Sequence, residues 1–463
     1  MHPDHVHRFL AAFEAPLAPV MGDGDRAPVE LTGSGALPSV FAVTDFATAS
    51  VACAGRAAAR LAGDLGSGPP PTVAVDARLA SWWYLTSLQP EGWERGGMWD
   101  SVAGIYPAED GHVRLHTNAP HHKARALAVL GVDDDRQAVA RAVGRWSADA
   151  LETAVVGAGG CAAALRGGGE WAAHPQGAAV AAEPLIHWEP TEAGRDLAPV
   201  ARPARPLAGV RVLDLTRVLA GPVATRFLAG LGADVIRVDP PWWSEPAVES
   251  EVTLGKRCAR LDLRDGDDLD HLRALLADAD LFVHGYRSDA LDRLGLGPEV
   301  RRELAPGLVD VSLDAYGWTG PWRARRGFDS LVQLSSGLAF EPMEIAGATE
   351  PTPLPAQALD HATGYLMAAA AIHGWANRLS SGRGSRARLS LARTARALAD
   401  GPRTSMDTSV APLAPEDFVP ELEQTSWGPG RRLRPPVAAG PTVLHWGRPA
   451  TALGTAGARV GWL

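Results

Sequence analysis

From residue 206 onward, short runs of branched apolar residues alternate with segments whose apolar positions recur at helical spacing. GVRVLDL (209–215) has the unbroken aliphatic character of a buried strand. GPVATRFLAGLGA then follows helical spacing, with Pro222 in its first turn and Gly232 near its end. ADVIRVD (233–239), ARLDL (259–263), DLFVHGY (280–286) and LVDVSLDAYG (308–317) predict further strands, with DLDHLRALLADA and PEVRRELA as intervening helices. Strand and helix alternating at this interval predict an α/β domain over 208–400: a doubly wound, mostly parallel, Rossmann-like sheet. Such sheets bind ligands at the carboxyl ends of their strands, which points to loops near 216–222, 239–243, 286–290 and 314–321.

The first half is less regular and predicts a smaller α+β domain over 1–188. Residues 46–62 form an alanine-rich helix, TVAVDARLA a strand, and 102–117 a hairpin turning at AEDG. HHKARALAVLGV and SADALETAVVGAGG read as helices. Residues 189–207, rich in proline and charge, read as a linker. Residues 401–463, rich in Pro, Gly and Trp, hold one strand-like segment, PTVLHWG, and predict a wrap over another unit. An echo joins the halves: Asp45 and Asp360 each open Asp-x-Ala-Thr, followed by a small residue (Ala49, Gly364), an alanine-rich helix and Arg-Leu. On that pattern residues 1–188 are a partial copy of the later unit.

At 463 residues the chain exceeds one ordinary core. Lys plus Arg (44) against Asp plus Glu (53) leaves −9, which argues against coating nucleic acid. No apolar run is long enough for a membrane span. Cys53, Cys161 and Cys258 lie far apart with no CxxC, so no disulfide scaffold is expected, and a cytoplasmic location fits. His2, His5 and His7 and the pair His121-His122 lack the acidic spacing of a metal site, so no metal is expected. Trp82-Trp83 and Trp242-Trp243 read as packing residues.

Six ordered blocks carry a stronger signal. They are PLAGVRVLDLTRVLAGPVATRFLAGLGADVIRVDPP, GKRCARLDL, ADLFVHGYRSDALDRLGLG, LVDVSLDAYGWTGPW, RRGFDSLVQLSSGLA and ALDHATGYLMAAAAI. Over roughly 206–400 this series resembles the family III CoA-transferases, which include formyl-CoA transferase and the α-methylacyl-CoA racemases. DGHVRLHTNAPHHKARALAVLGV and EWAAHPQGAAV resemble that family's smaller domain, placed before the sheet instead of after it. Family members form interlocked two-chain rings, which implies either one chain holding two pseudo-repeats or an interlocked homodimer.

The resemblance implies that Asp360 is a covalent nucleophile, attacking an acyl-CoA to give an aspartyl anhydride and then an aspartyl-CoA thioester. Its mechanics as a plain residue suit a helix N-cap. Asp45, without a preceding sheet and with Ala49 where the later copy has Gly364, reads as a structural relic. Coenzyme A, as substrate, is implied at Val218, Leu219 and Ala220, at Lys256 and Arg257, at Tyr286 and at Arg293. Gly285 and Ser288-Asp289 depart from the family's Asn-Phe/Tyr-Arg-Pro-Gly loop, which weakens the implication there. Gly96-Gly97 corresponds to a glycine loop that closes over the carboxylate. Phe328 stands in GFD where the racemases carry a histidine, and a phenyl ring moves no proton. The expected function is CoA transfer from an acyl-CoA to a free carboxylic acid. The alternatives are an acyl-CoA isomerase using the same aspartate and a silent CoA-binding protein.

Overall fold

The computed structural model describes residues 1–463 except 22–25, 67, 195–201 and 288. Its centre is a seven-stranded sheet built from β1 (His187–Ala193), β2 (Arg211–Leu215), β3 (Asp234–Asp239), β4 (Arg257–Arg260), β5 (Leu281–His284), β6 (Val309–Asp314) and β7 (Arg383–Ser390). The spatial order is β4-β3-β2-β5-β6-β7-β1. Strands β2 to β7 are parallel to their neighbours, and β1 joins β7 antiparallel. The parallel strands therefore run 3-2-1-4-5-6 in their own sequence order, the doubly wound arrangement whose switch point lies between β2 and β5. Ligand loops converge at such a point because the crossover helices leave in opposite directions.

β1 corrects one expectation. Residues 189–193, read as linker, form most of this edge strand. Proline and charge there are tolerated because an edge strand has one unpaired side. The stretch 195–201 of that linker lies outside the described residues. TVAVDARLA is also shorter as a strand than read, since Asp76 ends it by capping the helix that starts at Ala77. PTVLHWG is not a strand: only Thr442 makes an isolated bridge there. The hairpin is as read, with 104–107 paired to 112–115.

Helices α1 (Pro3–Glu14), α2 (Val43–Gly66), α3 (Ala220–Gly230) and α4 (Ala358–Ser381) set the position of the site. α4 packs against both α2 and α3, and α1 packs on α2. Ala362 and Ala368 to Ala371 are fully buried; their small side chains let three helices approach closely.

The echo between the halves has a structural counterpart. The strands Val29–Thr32 and Val73–Asp76 pair in parallel around α2, as β6 and β7 pair around α4. α2 and α4 are both 24 residues long, with Asp45 and Asp360 each third. A short helix follows each second strand, capped by Asp76 and by Ser390 respectively. Each unit then sends a strand to the other. β1, downstream of the first unit, lies antiparallel on β7, and Val437–Ala439, downstream of the second, lies antiparallel on Val73–Asp76. The exchange of edge strands interlocks the halves within one chain.

Candidate functional site

Asp360 occupies the first turn of α4 and is 8% exposed, facing a cavity of about 240 Å³. Gln357, at the helix start, gives no side-chain cap. The cap comes instead from Asp329, whose Oδ2 accepts the backbone N–H groups of Leu359 (2.8 Å) and Asp360 (3.0 Å). Gln333 Nε2 donates to the other Asp329 oxygen at 2.5 Å. Among the described residues the Asp360 carboxylate itself makes no hydrogen bond or ion pair. Burial, and then the charge of Asp329, push its pKa well above the ordinary carboxylate range. Asp329 is raised by burial to about 6. Asp45 presents the opposite case: His2 N donates to it at 2.8 Å and His5 Nδ1 meets it at 3.0 Å, both brought by the start of α1. Its carboxylate is occupied where that of Asp360 is open.

Val218 and Leu219, in the loop between β2 and α3, line the same cavity. Val218 has φ of +66°, the single non-glycine residue with positive φ among those described. For a β-branched residue that conformation is strained by roughly 1–3 kcal/mol. It is held by Glu245, which accepts the Val218 N–H at 2.9 Å and Trp243 Nε1 at 2.7 Å, and is itself bound at 2.5 Å by the buried Arg237. The loop after β3 thus fixes the loop after β2. Ala220 opens α3, which has no side-chain cap.

The loop after β5 joins them: Arg217 lies over the rings of Trp243 and Tyr286, at 5.0 and 5.1 Å, and donates to the Tyr286 hydroxyl at 2.8 Å. Several arginines gather at this point, with Asp239 4.0 Å from Arg217 and Asp289 3.9 Å from Arg287. Arg326, Arg217 and Arg125 all depress His121, and Arg326 depresses Arg287, although burial is the largest cause in both cases.

Three of the basic residues singled out from sequence are not brought to the cavity. Lys256 is buried, with Nζ 3.0 Å from Asp214 Oδ2 and donating to the Pro222 carbonyl. It braces the β2–α3 turn from beneath. Arg257 is paired with Asp234 and covered by the carbonyl of Gly461 from the C-terminal segment. Arg293 is exposed and paired with Asp289, one helical turn earlier. Ser288 of the neighbouring loop lies outside the described residues.

The first half supplies the opposite wall: Gly97, Met98, Trp99, Asp100, His116 and Asn118 line the cavity with Asp360. Gly96 sits beside Pro246. Phe328 also faces the cavity, its ring stacked on His116 at 3.8 Å. Burial, helped by Arg114, lowers His116 to about 3, so its ring is neutral. Asp329, Glu245 and His116 were not singled out from sequence. Asp329 alone left a signal there, as the acid of GFD. Among the described residues no cluster of His, Cys, Asp and Glu could hold a metal ion, and no helix is long and apolar enough to cross a membrane.

Residues 207–409 match the family model described as CoA-transferase family III. The chain is 37% identical over 195 residues to the succinyl-CoA:glutarate CoA-transferase of Mus musculus, covering 39% of this chain and 44% of that protein. It is 32% identical over 199 residues to a probable fatty acyl-CoA transferase, Rv3272, of Mycobacterium tuberculosis, covering 40% and 50%. A crystal structure of Rv3272 superposes with a TM-score of 0.38 at 29% identity, covering 42% of this chain and 57% of that one. The chain spans about half the length of the curated relatives it matches.

Proposed function

Given that residues 207–409 belong to CoA-transferase family III, we propose that this chain moves CoA from an acyl-CoA thioester to a free carboxylic acid, with Asp360 as nucleophile. The observation that carries the reading is a buried carboxylate facing a cavity with no protein partner of its own. A desolvated carboxylate is a better nucleophile than a hydrated one.

In the proposed sequence an Asp360 oxygen attacks the thioester carbonyl and the C–S bond breaks, releasing CoA thiolate and leaving a mixed anhydride. The thiolate attacks the Asp360 carbonyl carbon and expels the donor acid as its carboxylate, giving an aspartyl-CoA thioester. The acceptor carboxylate attacks that thioester, thiolate leaves again, and its return to the acceptor carbonyl frees Asp360. No proton is gained or lost overall, and the thioester energy is retained.

The pantetheine arm of CoA would run past Val218 and Leu219. Its phosphates would meet Arg217, Arg287 and Arg326 and the uncapped start of α3, where free N–H groups favour anions. Lys256, Arg257 and Arg293 have no contact role in this reading. Met98 and Trp99, after Gly96-Gly97, would keep water from the intermediate. The Rossmann-like description rests on the 3-2-1-4-5-6 strand order. The edge strands exchanged between the two units favour one chain holding two pseudo-repeats over an interlocked homodimer. A reducing cytoplasm fits three buried free thiols.

An isomerase would need a second proton-transfer group. Phe328, which stands where the racemases carry a histidine, provides none. Incubation with acyl-CoA and isotopically labelled acids, beside Asp360→Ala, tests the reading by mass spectrometry. Label entering CoA esters only with the native protein, together with a hydroxylamine adduct at Asp360, is the expected outcome. α-Proton exchange without transfer would replace it by the isomerase.

A further inference from the structure

Attack on a thioester carbonyl drives negative charge onto its oxygen, and fixed N–H donors aimed at that oxygen are what stabilise it in an enclosed site. Among the described residues no lysine or arginine lines the cavity of Asp360, whereas Asp100, Glu245 and Asp329 do. Asp100 is neutralised by Lys123 at 2.9 Å and Glu245 by Arg237, but Asp329 and Asp360 have no ion pair. The donor must therefore be a neutral group.

Two side-chain amides line the cavity, Asn118 and Gln357. Asn118 is committed: its Nδ2 donates to the Met98 carbonyl at 2.8 Å and its Oδ1 accepts the Asp100 N–H at 3.0 Å. Trp243 is committed as well, its Nε1 donating to Glu245 at 2.7 Å. Gln357 is half-buried, and its carboxamide makes no hydrogen bond among the described residues. The reason lies at the start of α4. Gln357 holds the N-cap position, where a side chain ordinarily accepts an N–H of the first turn. Asp329, from the helix Asp329–Ser335, has taken the N–H groups of Leu359 and Asp360 instead. N-cap and N3 side chains are neighbours, as the capping box shows. The free amide of Gln357 and the free carboxylate of Asp360 thus face one cavity from the same turn.

We propose that Gln357 is a catalytic residue, its Nε2 donating to the oxyanion formed when Asp360 attacks the acyl-CoA. The proposal rests on the transferase reading above. As the Asp360 oxygen bonds to the thioester carbon, the C=O π pair moves onto the carbonyl oxygen, which accepts from Gln357. On collapse the pair returns, the C–S bond breaks and the thiolate leaves with the bonding electrons; Gln357 keeps its protons throughout. A cation in this place would pair with Asp360 in the resting enzyme and blunt the nucleophile, whereas a neutral amide does not. Donor and nucleophile stand three residues apart on one 24-residue helix, so their spacing is set before substrate arrives.

The test measures transfer from one acyl-CoA to one labelled acid with Gln357→Ala, Gln357→Met and Gln357→Glu. kcat should fall by roughly 100- to 1,000-fold in the alanine and methionine variants, with KM for acyl-CoA within about threefold, because the contact exists only in the transition state. Methionine keeps the side-chain volume, which separates a lost donor from lost packing. Gln357→Glu should recover relative to the native protein as pH falls, since only the protonated carboxyl donates. Thermal unfolding checks each fold, and the pH ratio of Gln357→Glu is a readout by itself if the apolar variants do not fold. A folded Gln357→Met with kcat within about threefold of native, a loss confined to KM, or a Gln357→Glu ratio that does not rise towards acid pH overturns the role of Gln357 while transfer stands. Absence of transfer to any acid, with native and Asp360→Ala alike, overturns both.

Discussion

Replacing Gly364 by alanine separates placement of the nucleophile from stability of the fold. A Cβ built there would lie 2.4 Å from the Ala220 carbonyl oxygen and 2.9 Å from Val223 Cβ and Cγ1. A carbon–oxygen contact needs about 3.3 Å, so α3 and α4 must part by roughly 1 Å. Both helices open on the cavity: Asp360 is one turn before Gly364, and Val218-Leu219 lead directly into Ala220. The overpacking costs about 1–3 kcal/mol, but alanine returns about 1 kcal/mol of helix propensity. The net destabilisation is therefore expected at about 0–2 kcal/mol. A displacement near 1 Å at a reacting group costs on the order of 100-fold in rate. Activity should thus fall far more than stability, which kcat/KM for transfer and thermal unfolding on one preparation would show. Ala49→Gly in α2 is the internal control. It should lose about 1–2 kcal/mol, from helix propensity and the lost buried methyl, with transfer rates kept. Transfer by Gly364→Ala within about threefold of native, or falling only as its folded fraction falls, would refute the reasoning.

Three further predictions rest on buried charge. Asp360 is raised first by burial and then by the charge of Asp329; Asp329→Asn removes the second cause while an amide oxygen can still cap α4. The ionised nucleophile then survives to lower pH, so the acid limb of the kcat/KM profile should move down; an upward or absent shift contradicts the pairing. Asp329 itself is raised above its unfolded value, so its contribution to stability is present at acid pH and lost as pH rises through about 6. Lys256→Met should cost about 3–5 kcal/mol by leaving Asp214 unpaired, with KM for acyl-CoA within twofold in the protein that folds. A tenfold rise in KM without loss of stability would return Lys256 to the nucleotide.

Gly364 illustrates how far a single residue is legible in the sequence. Its smallness is plain beside Asp360, but the reason for it is not: the glycine admits a neighbouring helix, and that neighbour is distant in the chain. The basic residues show the same limit. Lys256 and Arg257 are adjacent in the chain, yet one pairs inward with Asp214 and the other outward with Asp234 and the C-terminal segment. A sequence states that a residue carries charge; whether a partner already neutralises it depends on which strands are neighbours.

Local patterning, by its periodicity, determined the alternating elements of the second half, the hairpin at 104–115 and the paired Asp45 and Asp360 helices. These features depend on residues within a few positions of one another, where spacing and burial are directly linked. Tertiary structure alone decided that β1 and Val437–Ala439 cross between the units, that Asp329 caps the helix of Asp360, and that Asp45 is closed by His2 and His5 while Asp360 is open. Each of these joins residues tens to hundreds of positions apart. Such contacts arise from chain topology and the burial of whole faces, which no local pattern encodes.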